Sequence, residues 1–355
     1  MNEVQQQVAM YQQCGLLRVN LNLTNCVFNS SINLTSVGGR DNFARVIELY
    51  VISVLCFFGL IGNILSVIVL QRDRDRKEAL FLLQALALAD AFYLIIAIPR
   101  YPLKYLIHKE ITYVTMQLVV FPLLKTAQAM TIWMMLLVTT DRYIYVCRPL
   151  VAHTLCNSRT RRVLALLVFA LAFVYNIPYF FDSCVMTFKD MCTGLSYSRM
   201  VYSPPFQSTY YLDIYRYGAY LLLLYVGPLS FLVVLNYKLL SAIRRSRRRQ
   251  RQYTLCHMWQ QQPHQSEANA SIVLIIVVIV FVVCETPELI LKILVILSRC
   301  LGHQQQISRH IHTFNIMSEL LMVINSSVNF FIYCAFGRRF RFIMKETFRN
   351  VSRNL

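Results

Sequence analysis

The stretch Ser271–Leu297, SIVLIIVVIVFVVCETPELILKILVIL, decides the fold. It is apolar almost throughout, yet it carries Glu285, Glu288 and Lys292. As a helix rising about 1.5 Å per residue it would reach about 40 Å, enough to cross a hydrocarbon core of about 30 Å. Ionisable groups are costly in lipid, so a crossing segment that keeps three of them must turn them toward protein or water. Glu288 and Lys292 follow Glu285 by three and seven residues, which places all three on one helical face. The reading is therefore a transmembrane helix with one polar face turned inward.

Six more runs have the same character: Val46–Leu70, Ala79–Ile98, Tyr113–Val146, Val163–Phe181, Tyr211–Ile243 and His310–Cys334. Together they predict an all-α protein, a seven-transmembrane helix bundle whose two ends lie on opposite sides of the membrane. Hydrophobic residues make up 57% of the chain and charged residues 15%, whereas soluble domains carry about a quarter charged. The formal charge of +18 raises nucleic acid as a partner, but the basic residues sit in the connections. More than half of the 35 lysines and arginines follow the first, third, fifth and seventh runs, including RRSRRRQR at 244–251. That bias puts these segments in the cytoplasm and the N-terminus outside, in a multi-pass protein of the plasma membrane. Such charge meets anionic membrane lipid or an acidic cytosolic partner, and no basic domain is left over to hold nucleic acid.

The expected organisation is an extracellular tail over 1–45, the transmembrane domain over 46–334, and a cytoplasmic amphipathic helix with a short tail over 335–355. The opening MNEVQQQVAMYQQCG has no apolar core, so the first span is expected to direct its own insertion. Asn22, Asn29 and Asn33 each begin an N-x-S/T sequon and are the expected glycosylation sites. Cys14, Cys26, Cys184, Cys192 and Cys300 fall on the outer side and are the disulfide candidates. Their odd number leaves at least one thiol free or paired between chains. The cysteines have no zinc spacing, and no cofactor is expected.

Function is carried by the polar residues inside the bundle. Lys125, Gln128, Thr139 and Arg142 share one face of the third span, and Glu319, Ser326, Asn329 and Tyr333 share one face of the seventh. The second span adds Asp90. Structural hydrogen bonding between helices accounts for serine and asparagine. It does not account for three glutamates, two lysines and an aspartate, which point to a water-filled pocket open to the outside.

Asp141-Arg142-Tyr143 closes the third span, within AQAMTIWMMLLVTTDRYIYVCRP. Gly62-Asn63 lies in the first span, LALAD ends at Asp90, and Pro228 and Pro287 lie in the fifth and sixth. YNIPYFF, LNYKLLSAIR, FVVCETPE and NSSVNFFIYCAFG follow in order. This set resembles the rhodopsin-like G-protein-coupled receptors from Val46 to about Phe348, and within them the invertebrate receptors for FMRFamide-related and myosuppressin-like neuropeptides. The chain departs from the wider family in four places. The seventh span has Asn329-Phe330 where Asn-Pro is usual, and Glu285 stands where a tryptophan precedes the proline of the sixth. The fourth span lacks its tryptophan. Gln117 replaces the cysteine that opens the third span, so the usual disulfide to the second outer loop cannot form; Cys184 and Cys192 are left to pair with each other or with Cys14, Cys26 or Cys300.

The resemblance implies a non-enzymatic receptor that passes the binding of an amidated, FMRFamide-like peptide to a heterotrimeric G protein. To that ligand the sequence adds the polar groups inside the bundle: Lys125, Gln128, Glu285, Glu288, Lys292 and Glu319 are expected to meet it, with Glu288 and Glu319 receiving a peptide arginine and Lys125 and Lys292 holding them beforehand. Asp182, Asp190 and Asp213 are the alternative acidic anchors. The resemblance also implies that Arg142 pairs with Glu267 at rest, that Tyr143, Asn236, Asn329 and Tyr333 reorganise on activation, and that Asp141 belongs to the same coupling set. Asp90, Thr131, Asn325, Ser326 and Asn329 mark the place where many such receptors hold sodium. Glu285 beside that place reads either as a ligand-sensing switch that can pair with Lys125 or as a strut bonded to Asn325. A seven-helix transporter or channel is the alternative. A retinal protein would need a lysine in the seventh span, which has none, and protease motifs such as HExxH are absent.

Overall fold

The computed structural model describes residues 42–73, 77–107, 110–189, 196–208, 210–254, 263–300 and 308–354. Each apolar run is a helix long and apolar enough to cross a membrane: Val46–Arg72, Leu80–Leu106, Ile111–Cys147, Ser158–Phe180, Tyr210–Arg248, Ile272–Leu297 and Thr313–Phe336. The helices outrun their apolar cores. The second continues as a single helix over Lys77–Leu106, through Pro99 and Pro102, well past the Ile98 boundary the hydropathy suggests. Proline removes a backbone hydrogen bond, yet membrane helices tolerate it where neighbours compensate. The added turns bring Arg100, Tyr101 and Lys104 into the bundle. The sixth begins at Pro263 and the seventh at Ser308.

Local signals set the other ends. Asn157 caps the fourth helix by accepting the Thr160 N–H at 2.7 Å. The first and fifth spans open with π-helical stretches, over Val46–Ile52 in the first and over Tyr210–Ala219 and Leu221–Val226 in the fifth. A short helix, Pro149–Leu155, joins the third span to the fourth. Between the fourth and fifth spans, β1 (Ser183–Lys189) pairs antiparallel with β2 (Ser196–Tyr202), from Ser183 opposite Tyr202 to Lys189 opposite Ser196. This hairpin is an addition to the all-α reading.

The third span is central and packs against the second, fourth, fifth and sixth, while the first and seventh close against the second. Leu86, Ile132, Met134, Leu224, Leu232 and Phe281 are fully buried where these helices meet. The outer surface is apolar as well, with Phe57, Leu166 and Val283 more than half exposed, as a bundle facing hydrocarbon requires. At the inner end the chain turns at Gly337, whose N–H bonds the Tyr333 carbonyl at 2.9 Å. A Cβ there would come within 2.5 Å of that carbonyl oxygen, so the close turn excludes a side chain. The helix that follows, Arg338–Asn354, packs Phe340 against Tyr333 and Phe330. Arg339 clamps Asp73 with contacts of 2.6 and 2.7 Å, tying this helix to the end of the first span. Phe342 and Phe348 stay exposed, an apolar face suited to lying along a membrane.

Cys184 is disulfide-bonded. The bond does not reach the third span, where Gln117 is buried with its Nε2 unbonded among the described residues and Cys147 is a free thiol. Asn22, Asn29, Asn33, Cys14, Cys26 and Cys192 lie outside the described residues, as does the side chain of Cys300.

Candidate functional site

The bundle holds a cleft lined by polar and aromatic side chains. The third, sixth and seventh spans contribute Lys125, Gln128, Glu288, Lys292 and Glu319, which the sequence singles out. The second span contributes Tyr93, Arg100 and Tyr101, and Phe121, Asn315 and Met322 complete the wall with Leu124. Glu285 is buried and does not line this cleft.

Two ion-paired groups divide the cleft. Glu288, buried with a side chain 3% exposed, receives Lys292 at 2.9 Å from the next turn of its own helix and Lys125 at 3.7 Å from the third span. Glu319 receives Arg100 at 3.0 Å and the Asn315 amide at 3.1 Å. The two lysines thus hold Glu288 and not Glu319, whose cation is Arg100. The sequence reading passed over Arg100 because the apolar run stops at Ile98, two residues short of it. Lys125 also reaches Gln128 at 3.4 Å, and Gln128 bonds Tyr225 at 2.7 Å and Tyr220 at 3.2 Å. The Tyr101 hydroxyl is buried and makes no hydrogen bond among the described residues.

The hairpin is fastened to this region through Arg216. Its guanidinium pairs with Asp182, the residue before β1, and lies over the rings of Tyr202, Tyr179 and Phe121. Asp182 also accepts from Ser183 and Tyr211. It is therefore engaged by Arg216 rather than open to a ligand. Burial pushes the Tyr202 phenol up to about 12, so the ring beside Arg216 stays neutral at physiological pH. Phe121 carries Lys125 as well, 5.6 Å from its centroid, and so links the hairpin anchor to the cleft.

Below the cleft, Asp90 is fully buried and accepts from Asn329 at 2.8 Å and Thr131 at 3.2 Å. Asn63 donates to the Ser326 carbonyl at 2.8 Å. Asn325 donates to Glu285 at 3.4 Å, the contact of the strut reading, while Lys125 makes its ion pair with Glu288. Glu285 Oε2 and Asn63 Oδ1 are buried without a hydrogen-bond partner among the described residues. Two buried carboxylates and two orphaned buried oxygens are the kind of donors that fit a monovalent cation.

At the inner end, Asp141 is buried and accepts from Arg161 of the fourth span at 2.8 and 3.5 Å. Sequence reasoning counted Arg161 among the inner-loop charges and missed this pair, because Asp141 and Arg161 come together only through packing. Burial, and then Asp141, push the neighbouring Cys156 thiol up. Tyr333 is buried against Phe340. The Glu267 side chain, and with it the expected Arg142–Glu267 pair, lies outside the described residues.

Seven such helices, a polar cleft within the bundle and Asp-Arg-Tyr near the C-terminal end of the third helix define a membrane receptor architecture. The chain belongs to the 7 transmembrane receptor (rhodopsin family), whose model matches residues 62–333. It is similar to the FMRFamide receptor of Drosophila melanogaster, 27% identical over 85% of this chain and 54% of that protein. It is also similar to the FMRFamide peptide receptor frpr-18 of Caenorhabditis elegans, 26% identical over 83% of this chain and 68% of that one. The sex peptide receptor of Drosophila melanogaster is 28% identical over 86% of this chain and 73% of its own length. The chain thus spans about half the length of the first of these relatives. The family match does not favour a transporter or channel.

Proposed function

We propose that this chain is a cell-surface receptor for an amidated, FMRFamide-like neuropeptide and that it activates a heterotrimeric G protein. The observation that carries the reading is the cleft walled by Arg100–Glu319 and Lys125–Glu288–Lys292, in a rhodopsin-family chain similar over most of its length to FMRFamide receptors. Buried carboxylates near the mouth of a bundle receive a peptide arginine bidentately, which a neutral residue cannot match. Gln128 lines the cleft as well, and Glu285 is buried outside its wall. The N-terminus lies outside with sugars on Asn22, Asn29 and Asn33, and the basic inner surface faces anionic lipid.

Activation acts on the inner groups. Arg142 and Glu267 pair at rest, and their separation, with movement of Asp141, Tyr143, Asn329 and Tyr333, opens the face for the G protein. Asp90, Thr131, Asn325, Ser326 and Asn329 would hold a sodium ion, which would supply one positive charge among buried oxygens. The test is nucleotide exchange on purified G proteins by membranes containing the chain, with a panel of amidated peptides and their free acids. Exchange driven by an amidated peptide and not by its acid is the expected result. Silence across the panel, or substrate flux in liposomes without exchange, would overturn the reading.

A further inference from the structure

We infer that Arg100 is an internal plug: it occupies the seat on Glu319 that a guanidinium group of the ligand takes over. This rests on the peptide-receptor reading and deepens it by separating the two acidic anchors. Glu288 is shared by two ammonium groups, so that trio already carries a surplus positive charge and repels a further cation. Its carboxylate is also sealed, 3% exposed. Glu319 is held by one guanidinium and one amide, and it is the more open at 16%. A carboxylate that already carries a guanidinium at 3.0 Å shows what it accepts.

The plug can leave. The Arg100 side chain is 21% exposed, and its guanidinium lies 5.5 Å from the Tyr101 ring centroid, a second favourable place for a cation. Exchange of one guanidinium for another keeps Glu319 neutralised throughout, so the ligand does not meet the full cost of stripping a buried charge. The surplus cation of the other group then suits an electron-rich oxygen, such as a carbonyl of the ligand. The resting site thereby rejects free cations and yields only to a ligand with both features.

Two arms test this. In the first, FMRFamide and its citrulline analogue, which keeps the shape and loses the charge, are titrated against wild type, Arg100→Ala and Glu319→Gln. Arg100→Ala is expected to bind FMRFamide at least tenfold more tightly while its affinity for the citrulline analogue stays put. Glu319→Gln is expected to lose the preference for arginine. The second arm needs no peptide binding: the melting temperature of each purified variant is followed with millimolar L-arginine amide. Arginine amide should restore the melting point of Arg100→Ala, and leave wild type and the double variant Arg100→Ala/Glu319→Gln unmoved. If Arg100→Ala is too unstable to purify, Arg100→Gln, which retains donors toward Glu319, takes its place. Rescue in the second arm, with no member of the amidated-peptide panel bound in the first, would refute the peptide reading and keep the plug. Absence of rescue, or equal affinity of Arg100→Ala and wild type for a peptide both bind, would overturn the plug.

Discussion

Arg161→Met should destabilise the receptor by about 3–5 kcal/mol, because it strands a charge. Asp141 and Arg161 each have a side chain 6% exposed and contact one another at 2.8 and 3.5 Å, so little water can replace the lost partner. Methionine matches the arginine stem in bulk, which confines the effect to charge. Asp141→Asn should cost a comparable amount by stranding the arginine. The double variant strands nothing and should melt closer to wild type than either single one, so the coupling energy should be at least as large as one single loss, about 3 kcal/mol or more. The assay is thermal unfolding of purified receptor in detergent, read with a dye that reacts with Cys56 and Cys284 as these buried thiols emerge. A melting point for Arg161→Met within a degree or two of wild type, or strict additivity in the double variant, would refute the pair as a structural tie between the third and fourth spans.

Three further outcomes follow. Gly59→Ala places a Cβ 2.2 Å from Ser327 Oγ, 2.6 Å from Ser327 Cβ and 2.9 Å from Leu94, so the first and seventh spans must part, at about 1–3 kcal/mol in thermal unfolding; unchanged stability would refute close packing of the two spans at this point. Glu285→Gln should flatten the sodium dependence of basal nucleotide exchange at matched surface expression, and a sodium response like that of wild type would leave Glu285 a strut on Asn325. An epitope placed between Arg249 and Gln260 should stain only permeabilised cells, whereas staining of intact cells would invert the topology.

The seven helices were legible because hydrocarbon imposes one simple constraint, about twenty apolar residues per crossing, and the motif set then fixed the family. Lys125, Glu288 and Lys292 were legible as a group because charge inside such runs has few explanations and helical spacing brings two of them together. Arg100 was not, since proline and hydropathy both mark a helix end where tertiary neighbours sustain the helix. Arg161 was counted for its side of the membrane, and no local pattern could reveal that it turns inward to Asp141. The hairpin escaped notice because its fourteen paired residues alternate weakly, and Gln117 said only what could not anchor it. Arg216 does that work, through an aromatic cage assembled from the third span, the end of the fourth, and β2.

The π-helical opening of the fifth span bears on how relatives are compared with this chain. Its hydrogen bonds run from residue i to i+5, so each such turn absorbs one more residue than an α turn before returning to the same side. Counting back from Pro228 along a relative whose fifth span is α-helical throughout would therefore drift out of phase across Leu221–Val226 and again across Tyr210–Ala219. Arg216, Tyr215 and Tyr211 would each be matched to a residue pointing elsewhere. Across this stretch, equivalence between homologues has to be drawn in space, with gaps placed at the π turns, before a role at one position is carried to another.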